Sequence, residues 1–311
     1  LQDLTNRGYY TILIDYYPNP VAKPYADEHI QESTLDLDKV LEIAIQKKVE
    51  NIITACTDQA LLTVAYVAEK LGFHKQFSYE QARAITNKLY MKQVMLESEI
   101  PTAKYVNIKS LADGIGDLQY PLMVKPADSN SSNGVRKVSN FIELSKAFEQ
   151  AVDISRTGTA IVEEFKRGME VSVDAFVIDG TVNLLMCSEI RKLNHDKSLS
   201  VIYQSVIPAP LSDVQISEIE SIIQKIVIAF GLDNTPILVQ LLVDDEDINV
   251  IEFSARIGGG LKHVNIKEKT GFDVLHENVS AIIGSPVRFY RNDVQTFISR
   301  THLYVLPGIF D

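Results

Sequence analysis

At 311 residues, with 46% hydrophobic and 23% charged side chains, the chain has a globular composition and room for two or three compact units. Its formal net charge of −11 argues against nucleic acid or an anionic membrane surface as the main partner. Cys56 and Cys187 show neither disulfide nor metal-binding spacing, which indicates a reducing cytoplasm. We recognise no signal peptide, and no apolar stretch approaches the roughly 20 residues that span a bilayer. Residues 1–10 are predicted to be the tail of a helix whose preceding strand is missing.

The N-terminal part alternates between apolar segments and amphipathic helices. Residues 11–15 and 51–56 are predicted strands, and the helices after them begin near Asp36 and end at Gly72. Such alternation predicts a parallel sheet with helices packed against it. Asp15, at the end of a strand, could hold a ribose as in dinucleotide-binding dehydrogenases. The sequence contains no GxGxxG motif to support that function.

A loop of small and polar residues follows the next predicted strand. Residues 80–99 form two helical segments, and residues 121–126 form a strand that ends at Lys125. The loop at residues 127–134 would let successive backbone N–H groups approach an anion closely. It differs from a P-loop, because the pattern GxxxxGK[ST] is absent and a predicted strand, not a helix, follows the loop. By itself the loop is equally typical of a surface turn.

Acidic residues occur in the strands that come next. Glu163 and Glu164 end an apolar strand at residues 160–165, and Glu170 opens a hairpin that turns at Asp179-Gly180. The paired carboxylates could mark a hinge that contacts a planar base, and Glu170 could accept from ribose hydroxyls. Ordinary alternation on a half-exposed strand would give the same pattern. We predict a charged loop at residues 191–197, followed by a long helix that starts at Ser212.

A second hairpin is predicted within residues 237–262. With a three-residue loop at Asp245–Asp247, Gln240 lies across from Glu252, Val239 faces Phe253 and Leu241 faces Ile251. Gln240, Glu252 and Ser254 then share one face, and their oxygen atoms could hold a hard cation such as Mg²⁺. Arg256 and three glycines follow directly. An ordinary hairpin with one polar face remains the alternative.

The order of these features resembles the ATP-grasp superfamily over essentially the whole chain. The features that carry the resemblance are Lys88, Lys125, the Ser/Asn/Gly loop, Glu163-Glu164-Phe165, Glu170, Gln240, Glu252, Ser254 and Arg256. The resemblance implies a mixed α/β and α+β fold. A Rossmann-like, parallel-sheet pre-ATP-grasp domain at residues 1–84 would precede a two-lobed ATP-grasp domain at residues 85–311. The lid of the latter would cover about residues 120–186.

The resemblance also implies a role for each site residue. ATP would be bound by Lys88, Lys125, Ser131, Ser132, Asn133, Gly134, Glu163, Glu164, Phe165 and Glu170. One or two Mg²⁺ ions, or Mn²⁺ in their place, would be held by Gln240, Glu252 and Ser254. Arg256 would be catalytic and would stabilise charge on the transferring phosphoryl group. Substrate contacts are expected from Arg191, His195, Gly258 and Gly259.

Three departures from the family pattern concern the loop and the metal face. Ser254 stands where asparagine is more usual, which puts a second metal ion in doubt. Gln240 is neutral, as in carbamoyl-phosphate-synthetase-like members, and lowers the charge of the metal cradle. The loop has Gly134 as its one glycine, which puts its tightness around phosphate in doubt.

The implied function is that of a cytoplasmic, ADP-forming carbon–nitrogen ligase that joins a small carboxylate to an amine through an acyl phosphate. A homodimer is expected, with no nucleic-acid or membrane partner. Carbamoyl-phosphate-synthetase-like or biotin-carboxylase-like phosphorylation of bicarbonate remains an alternative. So do a glycinamide-ribonucleotide-synthetase-like ligase and a non-catalytic ATP-binding module.

Overall fold

A computed structural model describes residues 1–128, 134–194, 200–245 and 247–302, without the side chains of Asn194 and Ser200. The N-terminal part consists of α1 (Gln2–Asn6), β1 (Ile12–Asp15), a 3₁₀ turn (Lys23–Tyr25), β2 (Glu28–Gln31), α2 (Leu37–Lys47) and α3 (Asp58–Leu71). Strands β1 and β2 pair in parallel, but β2 was not among the predicted strands. The strand predicted at residues 51–56 is wrong, because this segment has no regular secondary structure.

Capping residues explain the ends of these helices. The Asp36 side chain accepts a hydrogen bond from the backbone N–H of Lys39 at 3.0 Å and begins α2. Gly72 ends α3 in the left-handed conformation, with φ of 70°. Val40, Ala44 and Val67 pack the two helices together over β1. Both helix boundaries agree with the sequence prediction.

Two helices and a small sheet come next. Their bounds are α4 (Tyr79–Thr86), α5 (Lys88–Glu97), β3 (Tyr105–Ile108), a 3₁₀ turn (Leu111–Asp113), β4 (Leu122–Pro126), β5 (Arg136–Val138), α6 (Phe141–Ile154) and β6 (Ala160–Glu164). The four strands form the small sheet, in the antiparallel order β3-β6-β4-β5. Leu144, Phe148 and Ala151 of α6 pack on one face of this sheet.

The remaining elements form a larger antiparallel sheet with helices on both faces. Their bounds are β7 (Met169–Ile178), β8 (Thr181–Asn194), β9 (Ser200–Ile207), α7 (Asp213–Phe230), β10 (Thr235–Val243), β11 (Ile248–Ser254), α8 (Lys262–Thr270), α9 (Val274–Ile282) and β12 (Ile298–Thr301). In the described part of the chain this large sheet has six strands, in the order β11-β10-β7-β8-β9-β12.

One face of the large sheet is apolar. Val171 and Val173 of β7 and Val239 of β10 pack against Ile223 and Ile226 of α7. These apolar residues alternate along their strands with polar ones, so the polar side chains must emerge on the opposite face. The segment between α5 and β3 contacts this large sheet at β11, where Val250 N–H donates to the carbonyl of Pro101 at 2.8 Å.

The register of the β10–β11 hairpin confirms most of the prediction. Gln240 lies directly across from Glu252, and Val239 lies across from Phe253. Leu241, however, faces Val250 and not Ile251, because a bulge interrupts the ladder after Gln240. The prediction of Leu241 opposite Ile251 is therefore wrong.

The predicted loop at residues 191–197 is wrong over its first part, because β8 continues to Asn194. The division at residue 85 and the lid at about 120–186 stay predictions. The small sheet runs from Tyr105 to Glu164, and β7 is hydrogen-bonded within the large sheet. In the portion of the chain that the structure describes, no helix has both the length and the apolarity to cross a bilayer.

Candidate active site

A cluster of three charged side chains lies where α5, β4 and β6 meet. Glu163 Oε1 accepts a hydrogen bond from Lys125 Nζ at 2.6 Å, and Lys92 Nζ lies 2.9 Å from Glu163 Oε2. The three side chains are at most 12% exposed. We call Lys92, Glu163 and Lys125 the buried triad. Its formal charge is +1, so it retains positive charge for an anionic ligand.

Local structure explains how the buried triad forms. Glu163 is in β6, which lies between β3 and β4, and it pairs with Tyr105 on one side and Met123 on the other. Lys92 follows Lys88 by one turn of α5 and therefore projects from the same helix face. Its ammonium donates to Thr102 Oγ1 at 3.0 Å, and Thr102 donates to the carbonyl of Val250 in β11. The triad thus connects the small sheet to the large one.

Burial and charge act against each other in the triad. Burial alone would raise the pKa of Glu163, but Lys125 and Lys92 outweigh it and lower the pKa to about 2. Burial lowers the pKa of Lys92, and Lys125 adds to that effect, while Glu163 and Glu252 oppose it. Because Glu252 of β11 raises the pKa of Lys92, this carboxylate lies close enough to the triad to interact with its charge.

A second ion pair lies at the β11 edge of the large sheet. Lys88 Nζ is 3.2 Å from Glu252 Oε2, with side-chain exposures of 22% and 38%. We call Lys88 and Glu252 the edge pair. Gln240 lies beside Glu252 in register, and Ser254 follows two residues later on the same face. These neighbours supply neutral oxygen atoms next to one carboxylate.

This donor set limits how a metal ion could bind. Among the described residues, no group of three or more His, Cys, Asp or Glu side chains is placed to hold a metal ion. Glu252, Gln240 and Ser254 offer hard oxygen ligands, which suit Mg²⁺. Because Mg²⁺ commonly completes its shell with water and substrate phosphates, such a set fits a nucleotide-bound ion. It does not fit a metal cage made of protein alone.

Arg256 follows β11 and contacts the N-terminal part of the chain. Its Nε and Nη2 donate to the two carboxylate oxygens of Asp58 at 2.7 and 2.6 Å, and its Nη1 donates to the carbonyl of Ile257 at 2.9 Å. Burial would lower the pKa of Arg256, but the Asp58 carboxylate raises it. The fork-like contact fixes the guanidinium plane beside the end of β11.

Two further lysines approach the polar face of the large sheet. Lys262, at the start of α8, donates to Ser172 Oγ at 2.5 Å and to Asp174 Oδ2 at 2.6 Å. Lys192 Nζ in β8 lies 2.6 Å from Glu170 Oε2. Ser172 is directly across from Gln240, so the Lys262 ammonium shares a face with Glu252.

The structure therefore brings many of the predicted site residues to one region. Lys88, Lys125, Glu163, Gln240, Glu252, Ser254, Arg256, Glu170 and Gly258 lie in or beside these clusters. Gly134, the last residue of the predicted phosphate loop, has φ of +75°, and an added Cβ atom would lie 2.8 Å from Pro126 Cγ, which favours glycine there. Ser131, Ser132, Asn133 and His195 lie outside the described residues. Their roles stay predictions.

Other predicted residues do not join the cluster. Glu164 points away from Glu163 because strand neighbours alternate, and its Oε1 accepts from the backbone of Gln119 at 3.4 Å. The Phe165 ring instead lies 3.5 Å from Lys137 Nζ. A Cβ atom on Gly259 would meet nothing within 4 Å, so no close contact requires glycine there.

Arg191 is also outside the site. It donates to Glu189 at 2.8 Å, and Glu189 lies across from Val171, whose side chain packs on the apolar face of the large sheet. Since cross-strand partners share a face, Arg191 points away from Glu252. The substrate role predicted for Arg191 rested on a loop that is in fact a strand.

Sequence reasoning missed Lys92, Asp58, Asp174 and Lys262. For Lys92 the available signal was its spacing of four residues from Lys88 on an amphipathic helix. Ser172 and Asp174 alternate with valines in the segment VSVDA, which signals a polar face on a buried strand. Asp58 and Lys262 carried no local signal, because their partners are far away in the sequence.

Comparisons with known proteins connect this geometry to a family. The sequence model of the ATP-grasp domain matches residues 118–264. The multifunctional protein ura1 of Schizosaccharomyces pombe is 23% identical over 305 residues, which cover 93% of this chain and 13% of that protein. The carbamoyl phosphate synthase large chain of Clostridium acetobutylicum is 24% identical over 260 residues, which cover 80% of this chain and 24% of the relative. This chain thus spans less than a quarter of the length of either relative.

A solved structure shows the same fold. The L-amino acid ligase of Bacillus licheniformis superposes with a TM-score of 0.76 at 22% identity, over 90% of this chain and 70% of that one. Residues 118–264 thus match the ATP-grasp domain family, and the chain shares the fold of this ligase.

Proposed function

We propose that this protein is an ATP-dependent ligase that activates a carboxylate as an acyl phosphate and passes the acyl group to an amine. A carboxylate alone is a poor acyl donor, because its leaving group would be oxide. In the proposed reaction, a carboxylate oxygen attacks the γ-phosphorus of ATP and ADP leaves. The amine then attacks the acyl carbon, phosphate leaves, and an amide remains.

The observation that carries this proposal is the arrangement of charge around the edge pair. Lys88 pairs with Glu252, Arg256 follows β11 and pairs with Asp58, and Lys125 pairs with Glu163 in the buried triad, so each cation is already held by a carboxylate. Phosphoryl transfer requires little covalent chemistry from a protein and depends mainly on positioning and charge neutralisation. Cations held in fixed places by buried or bidentate contacts meet that requirement.

Each group has a defined task in this proposal. Lys125 would contact phosphate oxygens while Glu163 fixes its ammonium, and Lys88 would exchange Glu252 for a phosphate oxygen. Glu252, Gln240 and Ser254 would hold Mg²⁺, which supplies Lewis-acid neutralisation of the phosphates when it is bound. Arg256 would neutralise the transferring phosphoryl group, with Asp58 holding its guanidinium plane. Closure of the small sheet over this face would exclude water that hydrolyses the acyl phosphate.

Phosphate release against a matrix of amino acids and other small carboxylates, each paired with amines, tests the proposal. The wild type should release ADP and phosphate only with a matching acid, and Glu252→Ala should lose this release at least 100-fold, about 2.7 kcal/mol in transition-state stabilisation. Glu97→Ala is the control, since Glu97 is an exposed α5 carboxylate that accepts from Gln93 at 2.9 Å. Near-normal turnover in Glu252→Ala would refute the metal assignment.

A second candidate is phosphorylation of bicarbonate. The similarity to a carbamoyl phosphate synthase large chain, over 80% of this chain, supports this second candidate function. Bicarbonate would then stimulate ADP release without any amine. ATP binding with no ADP release across the whole matrix would instead identify a non-catalytic nucleotide-binding module.

A further inference from the structure

The polar face of the large sheet contains a buried cation that the proposed ATP and metal contacts do not use. Lys262 is 14% exposed and Asp174 is 4% exposed, and their charged atoms are 2.6 Å apart. Ser172 accepts a second hydrogen bond from the same ammonium. A lysine ammonium has three donors, so one N–H remains beyond these two partners in the described part of the chain.

The loop before α8 is shaped around this lysine. A Cβ atom on Gly258 would lie 2.5 Å from Lys262 Cδ and 2.9 Å from Asp174 Oδ1, so only glycine lets the lysine reach its partners. The backbone at Gly258 is not in the left-handed region, and packing alone imposes this requirement. Arg300 of β12 fixes the far side of the loop by donating to the carbonyl of Gly260 and to Asn265 Oδ1.

Lys262 approaches the same face of the large sheet as the edge pair, two strands away. Ser172, Gln240 and Glu252 lie side by side on three adjacent strands, so the Cα atoms of Ser172 and Glu252 are about 10 Å apart, two strand spacings. Burial raises the pKa of Asp174, while Lys262 and then Arg256 oppose the rise, so Arg256 is also near this carboxylate. A small molecule between Glu252 and Lys262 would therefore contact the phosphoryl-transfer end of the site.

The surroundings favour an anion at this place. No side chain of Leu261 caps α8, which begins at Lys262, and the N-terminus of this helix carries partial positive charge. Ser188, across from Ser172, is fully buried, and its hydroxyl has no hydrogen-bond partner among the described residues. Within the described residues, the patch thus combines an ammonium that has one N–H left over with a buried hydroxyl that has no partner, beside the metal face.

We propose that Lys262, positioned by Asp174, Ser172 and the space above Gly258, binds the carboxylate of the acyl-donor substrate next to the edge pair. The third ammonium proton would donate to a carboxylate oxygen and hold the other oxygen toward the γ-phosphate. This inference rests on the proposed ligase function for its chemistry. The binding itself can be measured without turnover.

The test is calorimetric titration of the MgADP-loaded protein with succinate, L-glutamate, L-alanine and bicarbonate. The double variant Lys262→Met/Asp174→Asn removes both charges, so neither is left unpaired in the interior. We expect MgADP affinity within about twofold of wild type and at least a tenfold loss of affinity for the anion that binds, about 1.4 kcal/mol. Gly258→Ala keeps both charges but displaces the lysine, and it should give a smaller loss of the same kind.

A second ion pair on α8 provides the matched control. Lys267 Nζ lies 2.7 Å from Asp273 Oδ2, with side-chain exposures of 60% and 30%. Lys267→Met/Asp273→Asn removes the same two charges from the same helix, and asparagine preserves the cap of α9. This variant should bind the anions as the wild type does.

Three results would overturn the proposal. The first is an unchanged anion affinity in the Lys262 double variant or, if that variant does not fold, in Gly258→Ala. The second is an equal loss of anion affinity in the Lys267 double variant. The third is that the MgADP-loaded wild type binds none of the anions. Failure of the ligase function is a separate result. It would appear as anion binding that depends on Lys262 together with no acid-dependent ADP release in the wild type.

Discussion

The buried triad and the edge pair place lysine–glutamate contacts in two different environments. Lys92, Glu163 and Lys125 are at most 12% exposed, whereas Glu252 of the edge pair is 38% exposed. Charges removed from water must keep their partners, because an unpaired buried charge costs several kcal/mol. A partly exposed pair such as Lys88 and Glu252 can separate at lower cost, since water and ions replace the partner. The triad is thus suited to fixed positioning, and the edge pair to exchange when ligands bind.

Among these variants, we expect Glu163→Gln to have the largest effect on stability. It keeps the side-chain shape but leaves the Lys92 and Lys125 ammonium groups without their buried counter-charge. We expect the free energy of unfolding at neutral pH to fall by about 3 kcal/mol, measured by urea denaturation. Glu164→Gln is the matched control, because the adjacent side chain points away from the triad and accepts one long contact from Gln119.

A loss under about 1 kcal/mol in Glu163→Gln, or an equal loss in the Glu164→Gln control, would contradict this difference between environments. It would mean that the triad is hydrated in solution. Lys125 would then be positioned no more firmly than Lys88, and the proposed division between fixed and exchangeable cations would fail.

The contribution of Glu163 in the buried triad to the free energy of unfolding should also depend on pH. The pKa of Glu163 falls from an ordinary value of 4.5 to about 2 in the folded protein. A depressed carboxyl pKa contributes stability above the unfolded pKa, and this stability is lost as pH falls through the folded one. The contribution, about 3 kcal/mol, should therefore decline from pH 4.5 toward pH 2.

Urea denaturation at several pH values checks this directly. The stability difference between wild type and Glu163→Gln should narrow as pH falls below about 4.5. A difference that stays constant down to the acid limit of folding would show that Glu163 does not titrate with a depressed pKa. Glu164→Gln should follow the wild-type curve throughout.

Sequence pattern predicted those parts of the site that depend on one element or one turn. The pairing of Gln240 with Glu252 was predicted from a three-residue loop, but Val243 pairs with Ile248, and the bulge after Gln240 restores the predicted pairing. The bulge after Gln240 did not follow, because an extra residue in one strand leaves no mark in apolar alternation. Arg191 was misplaced because a run of charged residues is typical of a loop, while here it continues a strand.

Contacts between distant segments could not be predicted from the sequence. Arg256 and Asp58 are 198 residues apart, and Lys262 and Asp174 are 88 apart. Each pair depends on how whole elements pack, and a charged residue read locally is usually a solvated one. Resemblance to a family supplied the expected role of Arg256. It supplied nothing about the carboxylate that holds it.

We expect the smallest effect on stability from a substitution in the edge pair. Lys88→Met should change the free energy of unfolding by less than about 1 kcal/mol, because a partly exposed ion pair contributes little. MgATP affinity should nevertheless fall at least tenfold, about 1.4 kcal/mol, since the proposal assigns the lysine to a phosphate oxygen once Mg²⁺ occupies Glu252. Urea denaturation and calorimetric titration with MgATP separate the two quantities. Lost stability with unchanged affinity would reverse the assignment and make the edge pair a structural contact.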